Sequence, residues 1–436
     1  MKHLVILSLL AASSAAFAAT ERPRALTLPE AVQLALDHNP DLATAQQRLA
    51  AADAALRQAE AAFYPQLHVS ENYAASDNPV QAFMMTLNQR AFNFNANFNH
   101  PDNTENLNTK VLATYPLYNG GSDLAARQAA RLGTEARASS LNAVRNGLVF
   151  EVTRSFYTIG KARRFVSAAD AAVTNMEANV TLASNRFTQG SVLKSDLLDS
   201  QVRLAEAREN LVLARNALAI SETIFRNVLG VGETSDVTAV EMQFRVPADS
   251  ATGTLDVSQR PELFAAQKAV AAAERQVRAA VGGHLPRVNA FGSYDLDSGN
   301  AQRFEDSWTA GVSVELDVFD GFLVRGKVAE ARANLDAARA DLRRTELALQ
   351  LEAKQAQLDL QEAHARLETT GQAVSQAEES EQITRARYAG GLALLTQLLD
   401  ADSALTSARQ RRAAAEADCA IARAALDKAL GRELKE

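Results

Sequence analysis

Apolar positions along this chain follow two different periods, and the switch between them outlines the elements. Leu197, Leu204, Leu211, Leu218 and Phe225 recur every seven residues, with the small residues Ser200, Ala207, Ala214 and Ser221 three places further on. That is a coiled-coil seam whose small positions let helices approach closely. Prolines stop at Pro116, resume at Pro247 and are absent after Pro286, leaving two long stretches of Ala, Leu, Arg, Glu and Gln that favour helix. A helix from about Leu124 to Gln189 would run ~100 Å, and after a break at Gly190-Ser191 a second from Val192 to Leu229 would run ~57 Å. Upstream, Thr27-Leu28-Pro29-Glu30 reads as a capping box opening a short helix, which Asn39-Pro40 interrupts. A helix of ~33 Å then runs from Asp41 to about Phe63 and ends at Pro65. Stacked end to end, the Asp41 and Val192 helices nearly equal the long one, which predicts an extended hairpin with matched arms.

Four segments between the helices alternate with period two. In Trp308 to Val318 one face is Trp, Ala, Val, Val, Leu, Val and the other Thr, Gly, Ser, Glu, Asp. Such a strand is long enough to cross a bilayer when tilted, and Trp308 stands at its end as an interfacial girdle residue would, with Tyr73 and Tyr294 in comparable places. Val288 to Asp297, Leu67 to Ala74 and Lys110 to Tyr118 repeat the pattern more weakly. Alternation alone fits a soluble sheet capping the helices equally well. In lipid only a closed barrel satisfies the backbone, and the smallest have about eight strands, so four strands imply several copies: two, three or four.

The chain is also duplicated. Asn39-Pro40-Asp41-Leu42 matches Arg260-Pro261-Glu262-Leu263, Pro65 matches Pro286 and Tyr73 matches Tyr294, all at an offset of 221 residues. Tyr118-Asn119-Gly120 matches Phe319-Asp320-Gly321, Arg186-Phe187 matches Arg387-Tyr388, Gly190 matches Gly391 and Leu229-Gly230 matches Leu430-Gly431 at an offset of 201. The first half therefore carries 20 extra residues between Tyr73 and Tyr118, read as a long loop. The division expected is a signal segment at 1–18; a first repeat at 19–230, with a strand hairpin near 67–118 and a helical hairpin near 124–229; a linker at 231–258; and a second repeat at 259–436, with hairpins near 288–319 and 323–430.

Composition narrows the function. Met1-Lys2-His3, the apolar run Leu4 to Leu10 and the close at Ala16-Phe17-Ala18 have the grammar of a secretory signal, and no later run approaches the roughly 18 apolar residues of a membrane helix. With 45 basic against 52 acidic residues there is no basic stripe for nucleic acid. The one cysteine, Cys419, is the repeat partner of Leu218 and reads as a buried seam thiol, and the scattered histidines make neither a metal site nor a catalytic trio. No phosphate loop is present, and neither an enzyme nor a cofactor is expected. Glu222/Arg226 and Glu381/Arg385, spaced i, i+4, read as supports for solvated faces.

From about Leu26 to Gly431 the chain resembles the TolC-type outer-membrane efflux proteins, or outer membrane factors. The resemblance runs through Leu26-Thr27-Leu28-Pro29-Glu30-Ala31, Asn39-Pro40, Tyr115-Pro116-Leu117-Tyr118-Asn119-Gly120-Gly121, Arg186-Phe187-Thr188-Gln189-Gly190 and Arg387-Tyr388-Ala389-Gly390-Gly391. It implies a mainly α fold with a β minority: duplicated helical hairpins forming an α-barrel tunnel in the periplasm, and four transmembrane strands per chain completing a twelve-stranded barrel in a homotrimer. It further implies an exit duct of an efflux or type I secretion system in the outer membrane, opened at its helical tip. The tips around Arg186, Gly190, Arg387 and Gly391 would meet a periplasmic adaptor, and an inner-membrane pump would supply the energy. In the family an Asp six places after the first tip glycine bonds a Tyr three places before the second and helps hold the tunnel closed; Asp196 and Tyr388 stand at those positions. An Arg two places after the second glycine is here Ala393. The inward aspartates six and nine places after that glycine are here Gln397 and Asp400, so a trimer would keep three ring carboxylates of six. Asp199 joins this gate set. Without the family, Asp196, Asp199 and Asp400 read equally well as helix-start carboxylates. The alternative is a periplasmic coiled-coil scaffold or adaptor without a membrane barrel, but adaptors usually have one hairpin flanked by β domains, whereas this chain has two, with strands set inside each half.

Overall fold

The computed structural model describes residues 24–95, 97, 99–232, 235, 237–240 and 255–432. The signal segment expected at 1–18 and part of the 231–258 linker lie outside the described residues. After a short strand β1 (Arg24–Leu26), α1 (Leu28–His38) opens where the capping box predicted, Glu30 Oε2 accepting from the Thr27 N–H and hydroxyl at 2.8 Å each. Asn39 breaks the helix and starts α2 (Pro40–Glu60), its Oδ1 accepting from the Asp41 N–H at 2.8 Å. There follow β2 (Gln66–Ser76), α3 (Pro79–Asn88), β3 (Thr104–Asn119), α4 (Ser122–Thr188) and α5 (Lys194–Leu229). A second short strand, β4 (Val237–Ala239), pairs in parallel with β1. The second repeat is α6 (Pro261–Gly282), β5 (Arg287–Ser298), β6 (Glu305–Glu315), α7 (Leu323–Ala389) and α8 (Leu395–Ala429).

The matched arms are present in both halves. α4 and α7 have 67 residues each, ~100 Å of helix. At the joint between α2 and α5, Asn39 Nδ2 donates to the Val228 carbonyl at 2.9 Å. Gly230 lies there at φ +74°, where a Cβ would stand 2.5 Å from the His38 carbonyl oxygen, so only glycine lets the helix ends meet. At the equivalent joint of α6 with α8 the buried Arg260 donates to the Lys428 carbonyl at 2.9 Å and to Glu262 and Glu352 at 2.8 and 3.0 Å. A core of Leu26, Ala35, Val152, Phe156, Ile159, Phe225 and Leu229 packs around the first joint. The wall runs in the order α2 with α5, then α4, then α6 with α8, then α7. The heptad seam is present as read, with Ser200, Leu211 and Phe225 buried and Cys419 fully buried.

The four longer strands form one antiparallel sheet in the order β2, β3, β5, β6. β6 begins and ends earlier than the Trp308–Val318 reading, because its partner β5 starts at Arg287, opposite Glu315; Leu316 to Val318 keep the alternation with no strand to pair. The extra residues of the first half are not all loop. α3 forms where Asn78 Oδ1 caps the Val80 N–H at 3.0 Å and Pro79 fills the first turn, and Val80, Phe83, Met84 and Leu87 carry the helical spacing that the loop reading passed over. No helix among the described residues is long and apolar enough to cross a membrane.

Candidate functional site

One face of the sheet is apolar and open. Trp308 stands opposite Tyr294, with Val312 and Val314 beyond on the same face, while Leu67, Val69 and Tyr73 continue it on β2; all these side chains are exposed. Tyr73, Tyr294 and Trp308, the expected girdle, thus share one face at the end away from the helices. A second aromatic belt that the sequence reading missed lies at the helical end: Tyr64, Tyr118, Phe319 and Phe322, all exposed. Tyr64 and Tyr73 are nine residues apart, ~30 Å of strand, or ~23 Å along the normal at the usual barrel tilt, close to the apolar band of an outer-membrane barrel. Glu71 and Asp306 interrupt this face near its outer end; Thr109 Oγ1 donates to Glu71, and the Tyr294 hydroxyl to Asp306 at 3.3 Å.

The opposite face is polar. Asn106 Nδ2 donates to the buried Asp297 at 2.6 Å, Asn108 donates to the same oxygen at 3.1 Å, and Lys110 pairs with Asp295 at 3.6 Å. Just after α3, Gln89 donates to Asn106 Oδ1 at 2.9 Å and Arg90 reaches Glu305 and Asp306 at 3.3 and 3.5 Å. The helix is therefore fastened across the sheet's outer end.

Both hairpin tips use one backbone plan. Gly190 and Gly391 sit at φ +72° and +76°, with Ser191 N donating to the Arg186 carbonyl at 2.9 Å and Leu392 N to the Arg387 carbonyl at 2.8 Å. These are helix C-terminal turns of the kind that end on a left-handed glycine. The next helix opens the same way at each tip: Asp196 Oδ2 accepts from the Leu193 N–H at 3.1 Å, and its repeat partner Gln397 accepts from the Leu394 N–H at 3.1 Å. Two of the gate candidates are thus engaged in capping. Asp199 and Asp400, also repeat partners, are exposed. Arg387 is exposed at the second tip.

The expected Asp196–Tyr388 bond is absent within the chain. Tyr388 is buried in the core that Met176, Ala183, Leu395, Leu398 and Leu399 form at the tip, and its hydroxyl is enclosed there without a hydrogen-bond partner. What holds Tyr388 is Arg186. Its Nη2 donates to the Tyr388 and Ala389 carbonyls at 2.7 and 3.0 Å, and its guanidinium carbon lies 4.3 Å from the Tyr388 ring centroid. Packing of the ring under the arginine turned the hydroxyl inward, and nothing in the sequence spacing could announce that.

A buried polar cluster lies further along the same helices. Asp402 of α8 accepts from Asn179 of α4 at 2.6 Å and from Arg385 of α7 at 3.0 Å, and Arg385 also pairs with Glu381. The carboxyl is pushed above the ordinary Asp range by burial, which outweighs the Asn179 and Arg385 bonds that pull it down. The Glu381/Arg385 pair, read as a support for a solvated face, is therefore half of a link to a buried acid. Asp402 has Gln201 as its repeat partner and Arg385 has Ser184, so no duplicated motif marks the cluster. Higher on the same seam, Lys161 pairs with Asp418 at 3.0 Å and Arg164 with Glu416. Cys419 Sγ is 3.8 Å from His364 Nδ1, and burial raises its thiol pKa, as suits an inert seam thiol. No group of three or more His, Cys, Asp or Glu among the described residues is arranged to hold a metal.

Comparison with known proteins covers nearly the whole chain. The profile of the outer membrane efflux protein family matches residues 31–231 and 257–432, one match to each repeat. The chain is 28% identical to Protein CyaE of Bordetella pertussis over 395 residues, 88% of this chain and 80% of that protein. It is 22% identical to Outer membrane protein TolC of Vibrio cholerae over 420 residues, 93% of this chain and 90% of that one. The crystal structure of the outer membrane protein VceC from Vibrio cholerae superposes with a TM-score of 0.81 at 20% identity, covering 94% of this chain and 97% of that one.

Proposed function

This chain belongs to the outer membrane efflux protein family, and from that premise we propose that three copies close side by side into the exit duct of an export system, a twelve-stranded barrel continued by a helical tunnel. The observation that carries this reading is a pair of open flanks on one molecule. β2 and β6 are unpaired edges of 11 residues each, which hydrocarbon would not tolerate. The helical wall ends on the same two sides, at α2 with α5 and at α7. Val202, Leu213, Ile220 and Ile224 on the first and Leu347, Leu351 and Leu358 on the second are exposed and unpartnered apolar residues. One closure pairs β6 with the β2 of the next copy and α7 with its α5, so both barrels close by a single rotation.

The duct itself does no chemistry; cargo passes when the tips part. Open space around Gly190 and Gly391 supports these turns, with Arg186 and Arg387, as the docking face for a periplasmic adaptor, and an inner-membrane pump drives transport. Asp199 and Asp400 supply the carboxylates at the narrow end. The exposed apolar sheet face argues against the scaffold alternative, because a soluble protein would hold it in water.

Native mass spectrometry of detergent-extracted protein tests the reading: it should give a trimer that resists carbonate extraction from outer-membrane material. Epitopes placed within 76–106 or 298–306 should be labelled on intact cells. A stable water-soluble monomer would overturn the assembly, and labelling only after permeabilisation would invert the orientation.

A further inference from the structure

The helix α3, present in the first repeat alone, lies on the side of the sheet that becomes the inside of a barrel. Asn106, Asn108, Asp295 and Asp297 share the polar face of the strands, opposite the face of Tyr73, Tyr294 and Trp308. α3 is fastened to that polar face. Gln89 Nε2 donates to Asn106 Oδ1 at 2.9 Å and to the Glu105 carbonyl at 2.7 Å, Arg90 reaches Glu305 at 3.3 Å, and Asn106, Asp297 and Glu305 are buried. The helix has two sides. Ala82, Met85, Thr86 and Gln89 recur on one and are buried or half-buried; Val80, Met84 and Leu87 recur on the opposite one and are exposed. Beside this stripe Phe83 packs edge-to-face with Phe92, and Phe92 with Phe94, which is 89% exposed. A stripe that points away from the inner wall of a barrel points toward its axis.

We propose that the three α3 helices of a trimer meet across the outer mouth of the barrel and close it as an apolar diaphragm, each covering the Val80, Met84 and Leu87 stripe of the next. The inference rests on the duct reading above, and the partner of each stripe is a second copy of this chain. Size argues for it. Twelve strands ~4.8 Å apart and tilted ~40° make a ring about 24 Å across from backbone to backbone. Three helices about 10 Å in diameter, side by side, need a circle of about 22 Å. Helices laid against the inner wall of such a ring therefore touch one another. Exposure argues the same way, because a stripe left alone would stand in the water of the bore, Val80 being 72% exposed. The helix is also held at both ends: Asn78 Oδ1 accepts from the Val80 and Gln81 N–H groups at 3.0 and 3.3 Å, and Gln89 and Arg90 pin the other end. Residues 299–304, the equivalent connection of the second repeat, carry no helix, so a trimer has three such segments. An apolar constriction excludes hydrated solutes because water leaves it, with no polar contact needed. Closed at this level, the lumen is shielded from the medium whatever the state of the helical tips.

Cysteine chemistry on intact cells tests this with the full-length chain, the buried Cys419 serving as a silent background. Met84→Cys or Leu87→Cys should give disulfide-linked pairs of chains on oxidation, since helices that meet bring their Cα atoms toward the ~7 Å limit of a disulfide. Gln302→Cys, exposed on the wall at the same level, should not, because equivalent wall positions of a three-fold ring that wide lie about 21 Å apart. The second readout is labelling of Ser70→Cys, opposite Lys110 on the luminal face, by a bulky membrane-impermeant maleimide. Val80→Ser, Met84→Ser and Leu87→Ser combined, all at exposed positions, should raise its rate roughly tenfold by letting water into the constriction. Trimers in which the stripe cysteines stay unlinked, or in which Ser70→Cys is labelled equally fast with either stripe, would overturn the diaphragm and leave the duct standing. Gln302→Cys unlabelled on intact cells, or chains extracted as monomers, would overturn the duct reading and the diaphragm together.

Discussion

At the first tip Phe187 is 39% exposed, whereas its repeat partner Tyr388 at the second is 2% exposed, although each follows an arginine and precedes a left-handed glycine by three residues. The backbone of the two turns is interchangeable; the environment is not. Phe187 ends a helix whose neighbours leave its ring in water, while Tyr388 faces Met176 and Ala183 of α4 and the start of α8. Duplication has preserved what glycine and helix caps dictate locally. The seam between the halves, which has no counterpart inside either half, was free to acquire its own chemistry.

Substitutions at paired positions can sharpen or break this contrast. The largest effect is expected at Asp402→Ala, which leaves the buried Asn179 amide without its acceptor and Arg385 with Glu381 alone: about 2–3 kcal/mol of local tip stability, as for other lost hydrogen bonds to a charged group. Gln201→Ala, at the exposed partner position, should change it by less than about 0.5 kcal/mol. Hydrogen exchange of the amides at the end of α7 reads both, and equal effects at the two positions would erase the asymmetry. Next come Gly190→Ala and Gly391→Ala. Both place a Cβ in the left-handed region with open space around it, so each should cost about 1–2 kcal/mol and the two should match. A large difference between them in denaturant unfolding would show that the turns are not equivalent.

Tyr388→Phe should act in the opposite sense. Deleting a buried hydroxyl with no partner stabilises the tip, by about 1 kcal/mol, and leaves the ring under Arg186. A closing bond from Asp196 would instead make this variant less stable, so the sign of the change decides. Asp196→Ala removes a cap and should cost about 0.5–1 kcal/mol, with Gln397→Ala costing less because it lacks the charge at a helix start.

Smallest is the response to pH. The groups facing Asp402 are Asn179 from α4 and Arg385 and Glu381 from α7; burial, joined by the like charge of Glu381, prevails over the Asn179 and Arg385 contacts to raise its pKa. The packed tip therefore binds this proton more tightly than a solvated Asp does. The resulting stability is present below the ordinary Asp range and is lost as pH rises through the raised value. Asp402→Asn should flatten that part of the tip's stability against pH; an unchanged slope would assign it to another group.

Much of the fold was legible because it follows from local rules. The heptads from Leu197 to Phe225, the capping box at Thr27 and the constant repeat offsets led to the hairpins, the joints and the tips within a few residues. The strands were found by alternation but their ends were not, since pairing decides where a strand stops: Leu316 and Val318 continue the pattern of β6 with no partner. α3 carried its signals in Asn78-Pro79 and Val80, Phe83, Met84 and Leu87, hidden inside a segment rich in loop residues. The site was the least legible part. Asp402 meets Asn179 across 223 residues of chain, and no periodicity or motif records a contact between helices at that distance. Glu381/Arg385 was visible as a pair, but the third partner that changes its meaning was not.

The equality of α4 and α7, 67 residues each, constrains how such a tube could ever change in length. Each long helix is matched by a stack of two shorter ones whose ends are capped at the joints by Asn39 and Arg260. A turn inserted in one helix alone would leave its neighbours a step short, shear the heptad register and pull one tip past the other. Growth or shrinkage would need concerted insertions in all four columns of the wall, each in whole heptads. The reach across the periplasm is thus a quantised, all-or-nothing trait, whereas the outer loops and the joint level remain open to piecemeal drift.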